Sequence, residues 1–474
     1  MTAPAAAPSV LPAPPTRRTT ELLLLVFALA ISLLAYAAVG LGVDGRVPSG
    51  VLGYGAGLGA LFLAAHLVVR WVAPYADPLV LPCVALLNGI GLVMVRRLDF
   101  AEAEETRLAG ETAARADAPL QLVWTALGIA LFVAVLLVVR DHTRLARYGY
   151  TAAALGIVLL LLPNLPVLGR EINGARLWVR VGPVQVQPSE IAKIALMIFF
   201  ATFLVAKRDV LSLASRRLAG LRLPRPRDLG PVLLAWVLSL SVLVLEKDLG
   251  SSLLFFGIFL VMLYVATERT SWLLIGFGLF LGGSYVAYHV FGHVRRRVDT
   301  WLDPFADAQG AGFQLVQSLF GFGTGGLTGT GLGQGSPQEV PFAKTDFILS
   351  AIGEELGLVG VMAVLLLFAL VVERGMRAAL GCRDSFGKLL GAGLSFALAL
   401  QIFVIAGGVT GLIPLTGLTL PWLSYGGSSL ISNWILVALL LRISDAARRP
   451  APAPVTPGTA RAALQDAPTQ ALRP

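Results

Sequence analysis

Apolar residues run through this chain in long blocks, and polar residues collect between them. Twelve blocks approach or exceed the roughly 20 residues that an α-helix needs to cross about 30 Å of hydrocarbon. They predict membrane-spanning helices over about 21–42, 50–72, 76–96, 119–139, 148–167, 188–206, 230–246, 250–266, 271–290, 346–372, 388–410 and 426–444. The predicted fold class is an all-α polytopic membrane protein of about 12 transmembrane helices, its transmembrane domain spanning 21–444. Irregular backbone at membrane depth must then be buried in protein or line a cavity, because lipid offers it no hydrogen bonds. Composition agrees. Of 474 residues, 56% are hydrophobic and 14% charged, against about 25% charged in soluble domains.

The net charge of +9 changes the picture only through its placement. Basic residues crowd three loops: 140–147, 207–229 and 374–388. Counting crossings puts all three on one side, with Arg17, Arg18 and the C-terminal tail, and the positive-inside rule predicts that this side is cytoplasmic. The opposite side receives 98–118, which is acidic on balance, then 168–187, 291–345 and 411–425. No basic run is interleaved with aromatics as a nucleic-acid groove requires. Cys83 falls in a span and Cys382 in a predicted cytoplasmic loop, so they are not expected to pair, and their spacing suggests no metal site. The Pro/Ala-rich termini, 1–20 and 445–474, are predicted to be disordered and cytoplasmic, and the first span is expected to stay in the membrane.

Candidate chemistry concentrates on the less basic side. The segment 291–345 is a large extracytoplasmic loop on this reading. It holds "VDTWLDPFADAQGAGFQ", with Asp299, Asp303 and Asp307 four residues apart, and Pro304 opposes a continuous helix through them. Arg295, Arg296 and Arg297 precede them on the side where cations are normally depleted, and can neutralise a phosphate. The Gly-rich run "GFGTGGLTGTGLGQGSPQEVPFAKTD" lacks the GK[ST] of a P-loop. With Trp301, Phe305, Phe313 and Phe320, the segment is expected to fold back on the membrane surface. "NGARLWVRVGPVQVQPSEIAK" reads as an amphipathic hairpin leading into a helix, with Glu190 and Lys193 paired one turn apart. Lys193 lies at membrane depth, where ionisable groups are functional candidates. "LEKDLGSS" places Glu246, Lys247 and Asp248 at a polar turn. "KTDFILSAIGEELG" offers Thr345 or Asp346 as a helix cap. Glu354 then lies roughly 12 Å along the axis, where it and Glu355 serve either function or buried pairing. "GLIPLTGLTLPWLSYGGSS" suits a re-entrant element whose N–H groups and hydroxyls meet an anion or sugar, or whose small residues pack tightly.

Five blocks in order, "NGARLWVRVGPVQVQPSEIAK", "EKDLGSSL", "RVDTWLDPFADAQGAGFQLVQS", "TDFILSAIGEELGLVG" and "GLIPLTGLTLPWLSYGGSS", resemble the signatures of the SEDS family (shape, elongation, division and sporulation). The resemblance covers about 148–444. It implies a ten-helix core plus an extra N-terminal pair, placed near 50–96. It further implies a peptidoglycan glycosyltransferase in the bacterial cytoplasmic membrane, polymerising lipid II beside a class B penicillin-binding transpeptidase. The family pattern "DPxGxGYQ" aligns with "DAQGAGFQ", which makes Asp307 the expected catalytic residue and puts Ala308 where proline is usual. Asp303 is the expected metal or orienting residue. Such chemistry needs a general base for the acceptor hydroxyl and cations for the departing pyrophosphate. Arg297 and a divalent cation, Mg2+ or Mn2+, are expected there, and no organic cofactor. Arg176, Trp178 and Lys193 are candidates for the lipid II headgroup. Gln314, Asp346, Glu354, Glu355, Ser424, Tyr425, Gly426 and Gly427 complete the expected substrate-binding set. Lys344 stands where many members have His, Glu246 where many have Gln, and Ile405 where Asn is common. A lipid II flippase using Lys193, Glu354 and Glu355 is the alternative, and a non-catalytic scaffold a third. Clustering of the polar groups on one face, rather than at the midplane, favours the enzyme.

Overall fold

The computed structural model describes residues 16–110, 116–166, 168–172, 175–182, 184–213, 216–218, 221–223 and 229–450. Fourteen α-helices occur among them: α1 (Arg18–Asp44), α2 (Val51–Val72), α3 (Val80–Leu108), α4 (Ala118–Val138), α5 (Gly149–Leu161), α6 (Pro188–Leu213), α7 (Gly230–Leu245), α8 (Leu249–Thr267), α9 (Thr270–Val290), α10 (Gly292–Leu302), α11 (Phe313–Gly325), α12 (Ile348–Gly381), α13 (Ser385–Val409) and α14 (Gly427–Arg448). Eleven are long and apolar enough to cross a membrane, α5 together with the 3-10 turns on either side of it. The 16-residue α7 completes the twelve predicted spans. Helices α10 and α11 belong to the long loop. The expected hairpin is a small antiparallel sheet of β1 (Gly169–Ile172), β2 (Ala175–Val181) and β3 (Val184–Val186), and a second hairpin pairs β4 (Arg216–Leu218) with β5 (Leu221–Leu223).

Burial divides the helices. α3, α13 and α14 form the centre, whereas α1, α5 and α9 keep most of their surface outward. Leu23, Phe27, Phe277 and Leu281 are exposed on the outer helices, as side chains that face hydrocarbon should be. Disorder was expected through 1–20 and from 445. Residues 1–15 and 451–474 lie outside the described residues, but 18–20 and 445–448 are helical. The cause is buried partners: Arg18 donates to the Pro74 carbonyl, and Asp445 accepts from the Tyr75 N–H.

Two boundaries differ instructively from expectation. α3 was expected to stop near 96 and runs to Leu108. Arg97, which looked like a span end, is buried and donates to Glu355 Oε1 at 2.7 Å. The extra turns carry Asp99 and Glu102 over the loop face. α12 continues to Gly381 but is broken at Gly357, where φ is 66° and ψ −170°. In an unbroken helix the N–H groups of Leu358 and Val359 would bond the carbonyls of Glu354 and Glu355. Here the Gly-rich loop takes both roles. Thr330 and Gly331 donate to the Glu354 and Glu355 carbonyls, each at 3.0 Å, while Gly326 and Leu327 accept from Leu358 and Val359 at 2.9 and 3.1 Å. Four peptide groups that would each cost several kcal/mol if unpaired in the membrane are thereby satisfied. Glycine is required at Gly329, where φ is 81° and a Cβ would lie 2.2 Å from the Glu355 carbonyl oxygen. The Gly-rich run is therefore a plug for a broken helix.

Candidate active site

α10 roofs an apolar cavity of about 450 Å³ between α7, α8, α9 and α13, with Val294 and Val298 above and Trp236, Phe256, Phe280 and Phe403 on the walls. Thr416 lies at its edge. Arg297, next to Val298, donates through Nη1 to the carbonyls of Leu415 and Thr416 at 3.1 and 2.9 Å. Trp301 Nε1 donates to the Gly411 carbonyl at 2.9 Å. α10 is thus tied along its length to the α13–α14 connection. Its exposed side carries Arg295 and Arg296, and Asp299 accepts from the Tyr288 hydroxyl.

α10 ends before Pro304, as its sequence requires, and a tight turn leads into α11. Asp303 Oδ1 accepts from the Ala306 N–H at 3.2 Å, and Asp307 Oδ2 from the Ala311 N–H at 2.8 Å. Both residues are exposed. Each carboxylate is oriented by one bond to its own turn and keeps its other oxygen for another partner. Gln314 is half-buried at the start of α11. Arg297 and Asp307 stand on the same loop segment, one bonded to the cavity-lining Thr416 and one at the exposed turn.

Behind α10 lies a charge group in which Glu246 and Asp248 are buried and Arg297 and Asp346 half-buried. Arg297 Nη2 and Asp346 Oδ2 flank Gly417, at 3.8 and 3.6 Å from where its Cβ would be. Burial raises Asp346 to about 6, against the opposing pull of Arg297. Asp248 is raised by burial, while Ser251 and Arg297 oppose the rise. It caps α8 by accepting from the Ser251 N–H at 3.0 Å. Glu246 is 1% exposed, and burial, with Asp248 adding, pushes it to about 8. Both Glu246 carboxyl oxygens are buried without a hydrogen-bond partner among the described residues. His293 is lowered by burial and by the cations Arg297, Lys247 and Arg296.

Several residues expected to meet substrate make hydrogen bonds within the protein. Lys193, 3% exposed, donates to Glu190 Oε2 at 3.0 Å and Gln401 Oε1 at 2.9 Å. Glu355 is bound by Arg97 and the Gly333 N–H, and Glu354 accepts from the Ser336 N–H at 2.6 Å. Both glutamates are thus paired within the protein. Ser424 accepts from the Leu420 N–H and donates to the Thr345 carbonyl. The Tyr425 N–H bonds the Lys344 carbonyl, and Gly426 donates to Gln121. Gly427 lies against Trp124, 2.4 Å from where its Cβ would be. The "SYGGSS" stretch is therefore tied into the fold, with Tyr425, Gly426 and Gly427 half-buried. Arg176 is exposed and Trp178 half-buried on β2, and the Arg176 N–H donates to the Glu246 carbonyl.

Sequence reasoning missed Arg97, Asp99, Glu102 and Asp117. Lys344 Nζ lies 2.7, 2.6 and 3.0 Å from Asp99, Glu102 and Asp117. Burial pulls the ammonium pKa down, but the three carboxylates outweigh it and leave it raised. This knot ties α3 and α4 to the segment entering α12. The acidic balance of 98–118, opposite a lone lysine, was the available signal.

Comparison with known proteins bears on this arrangement. The FtsW/RodA/SpoVE family, described as a cell cycle protein, matches residues 78–449. That stretch contains ten apolar helices, α3–α9 and α12–α14, so the surplus pair is α1–α2 and not the 50–96 segment expected. The chain is 55% identical over 443 residues to the peptidoglycan glycosyltransferase RodA of Mycobacterium tuberculosis, covering 93% of each. It is 37% identical over 326 residues to a probable peptidoglycan glycosyltransferase FtsW of Geobacter metallireducens, covering 68% of this chain and 84% of that one. Among solved structures, it resembles a chain from a peptidoglycan synthase complex that coordinates polymerization and crosslinking. The TM-score is 0.59 at 28% identity, over 78% of this chain and 97% of that one.

Proposed function

This chain belongs to the FtsW/RodA/SpoVE family and is a peptidoglycan glycosyltransferase, and we propose that it polymerises lipid II at the outer surface of the bacterial cytoplasmic membrane. The loop 291–345 faces outward on this reading, and both termini are cytoplasmic, because the arginine-dense loops lie on the opposite side. The observation that carries the reading is the apolar cavity roofed by α10, with Arg297 bonded to the carbonyl of its lining residue Thr416. An isoprenoid tail suits the cavity walls, and its pyrophosphate then meets Arg297. Asp307, exposed on the following turn, takes the proton of the acceptor sugar's 4-hydroxyl as that oxygen attacks the donor's anomeric carbon. The bond to pyrophosphate breaks on the opposite face, inverting the centre. The walls exclude water from the lipid end, and the Arg297 charge favours the departing anion.

A divalent cation of the Mg2+ or Mn2+ class supplies further positive charge to pyrophosphate when bound. Asp303 and Asp307 fit one, because each keeps an exposed carboxylate oxygen and such ions are usually shared between one or two carboxylates and substrate phosphates. Exposed Arg176 and half-buried Trp178 and Gln314 are proposed as headgroup contacts. The higher identity to RodA than to FtsW favours elongation over division. The likeness to a chain of a synthase complex supports a class B penicillin-binding transpeptidase as partner. Pairing of Lys193, Glu354 and Glu355 within the protein weighs against a lipid flippase. Purified protein supplied with lipid II and Mg2+ or Mn2+ is expected to make glycan strands. Scrambling of lipid II in liposomes without polymerisation overturns the reading.

A further inference from the structure

A second cluster lies on the arginine-rich face, away from the catalytic loop. The 3-10 turn His142–Tyr148, the end of α12 and the N-cap of α13 meet there. His142 Nε2 is 2.8 Å from Asp384 Oδ2 and 3.7 Å from Cys382 Sγ, and Sγ is 3.0 Å from the same carboxylate oxygen. His142 and Cys382 are each 3% exposed. The Asp384 side chain is 35% exposed, which leaves the group one opening to solvent. Gly387 makes room beside them: a Cβ there would lie 2.4 Å from Nε2, 2.5 Å from Sγ and 2.9 Å from Oδ2. The three donor atoms thus surround a common point without a side chain between them.

We propose that His142, Cys382 and Asp384 bind a zinc-class divalent cation, with water as fourth ligand, stapling the α4–α5 connection to the α12–α13 turn. Zinc takes nitrogen, sulfur and oxygen donors at about 2.0–2.3 Å in a tetrahedron, which sets donor atoms roughly 3.3–3.8 Å apart. The present separations need only a slight opening to reach that range. Asp384 is oriented for the role, since its other oxygen accepts from the Gly387 N–H at 2.6 Å and leaves Oδ2 for the ion. Thiolate and imidazole select a softer ion than the Mg2+ or Mn2+ expected at the catalytic loop. The thiol proton leaves to solvent as the sulfur–metal bond forms. A thiolate and a carboxylate together neutralise a 2+ ion, so the filled site is neutral and, with the thiol proton released, gains one unit of positive charge over the empty one.

Cobalt reads this site directly. Untagged full-length protein in detergent, stripped with chelator and titrated with Co2+, is expected to take up about one ion per chain and develop a thiolate-to-cobalt charge-transfer band that Zn2+ bleaches. Cys382→Ser should lose the band, which also excludes Cys83 on α3 as its source. Asp384→Asn, which retains a cap oxygen for α13, should weaken uptake by at least about tenfold. Failure of the wild-type protein to bind Co2+ overturns the proposal, as does an unchanged band in Cys382→Ser. Either result leaves three groups held by hydrogen bonds alone.

Discussion

The two halves of the 291–345 segment hold their acids in opposite ways. In the first half, Asp303 and Asp307 stand exposed on a tight turn, each held by a single N–H of that turn. The second half plugs into α12, where the buried Glu355 accepts from Arg97 and the Gly333 N–H and the buried Glu354 from the Ser336 N–H. Glycine serves the two halves differently, making room beside Asp307 and Pro304 at Gly310 and Gly312 in the first and taking positive φ at Gly326, Gly329, Gly331 and Gly333 in the second. The difference teaches that an acid's availability depends on whether the fold has already satisfied its lone pairs. A carboxylate at membrane depth is costly unless satisfied, and Glu355, fully buried, is bound through both of its oxygens.

The sharpest way to break this contrast is to exchange the two kinds of acid. Asp307→Ala is expected to cut glycan polymerisation by about 10²–10⁴-fold, the usual contribution of a positioned general base, while the detergent melting temperature stays within a few degrees. Normal polymerisation by a folded Asp307→Ala protein would remove the exposed half from the chemistry. Glu355→Ala should do the reverse. It strands the buried Arg97 charge and is expected to cost about 3–5 kcal/mol of stability, seen as a large drop in melting temperature. Gly329→Ala tests the plug itself. It forces a side chain into a left-handed position against the Glu355 carbonyl, for an expected loss of about 1–3 kcal/mol, and a neutral result would mean that the loop is not tightly seated.

The smallest expected effect concerns pH. Asp346 stands at about 6, above its ordinary 3.8. Between those values the folded chain retains a proton that the unfolded chain has released, so stability falls as pH rises through that window and levels off above it. Asp346→Asn should flatten this component in melting curves taken between about pH 4 and pH 7. An unchanged slope would show that Asp346 does not couple to folding.

How much of this was legible beforehand differs by region. The turn of α10 into α11 was foreseeable from Pro304, and the hairpin before α6 from its alternation. The end of α3 was misjudged because Arg97 looks like a boundary until Glu355, 258 residues away, is seen beside it. Lys193 looked free for substrate because its second partner, Gln401, lies 208 residues on. Cys382 suggested no metal ligand, since His142 is 240 residues distant.

The amino-acid sequence by itself determined the spans, the sorting of loops into two faces and the family. Apolar length, arginine density and ordered motifs are local quantities that add along the chain. Only the tertiary structure decided which ionisable groups remain open to a ligand. That outcome depends on partners brought together across helices, and in a low-dielectric interior a single well-placed donor settles whether a carboxylate is a strut or a reagent.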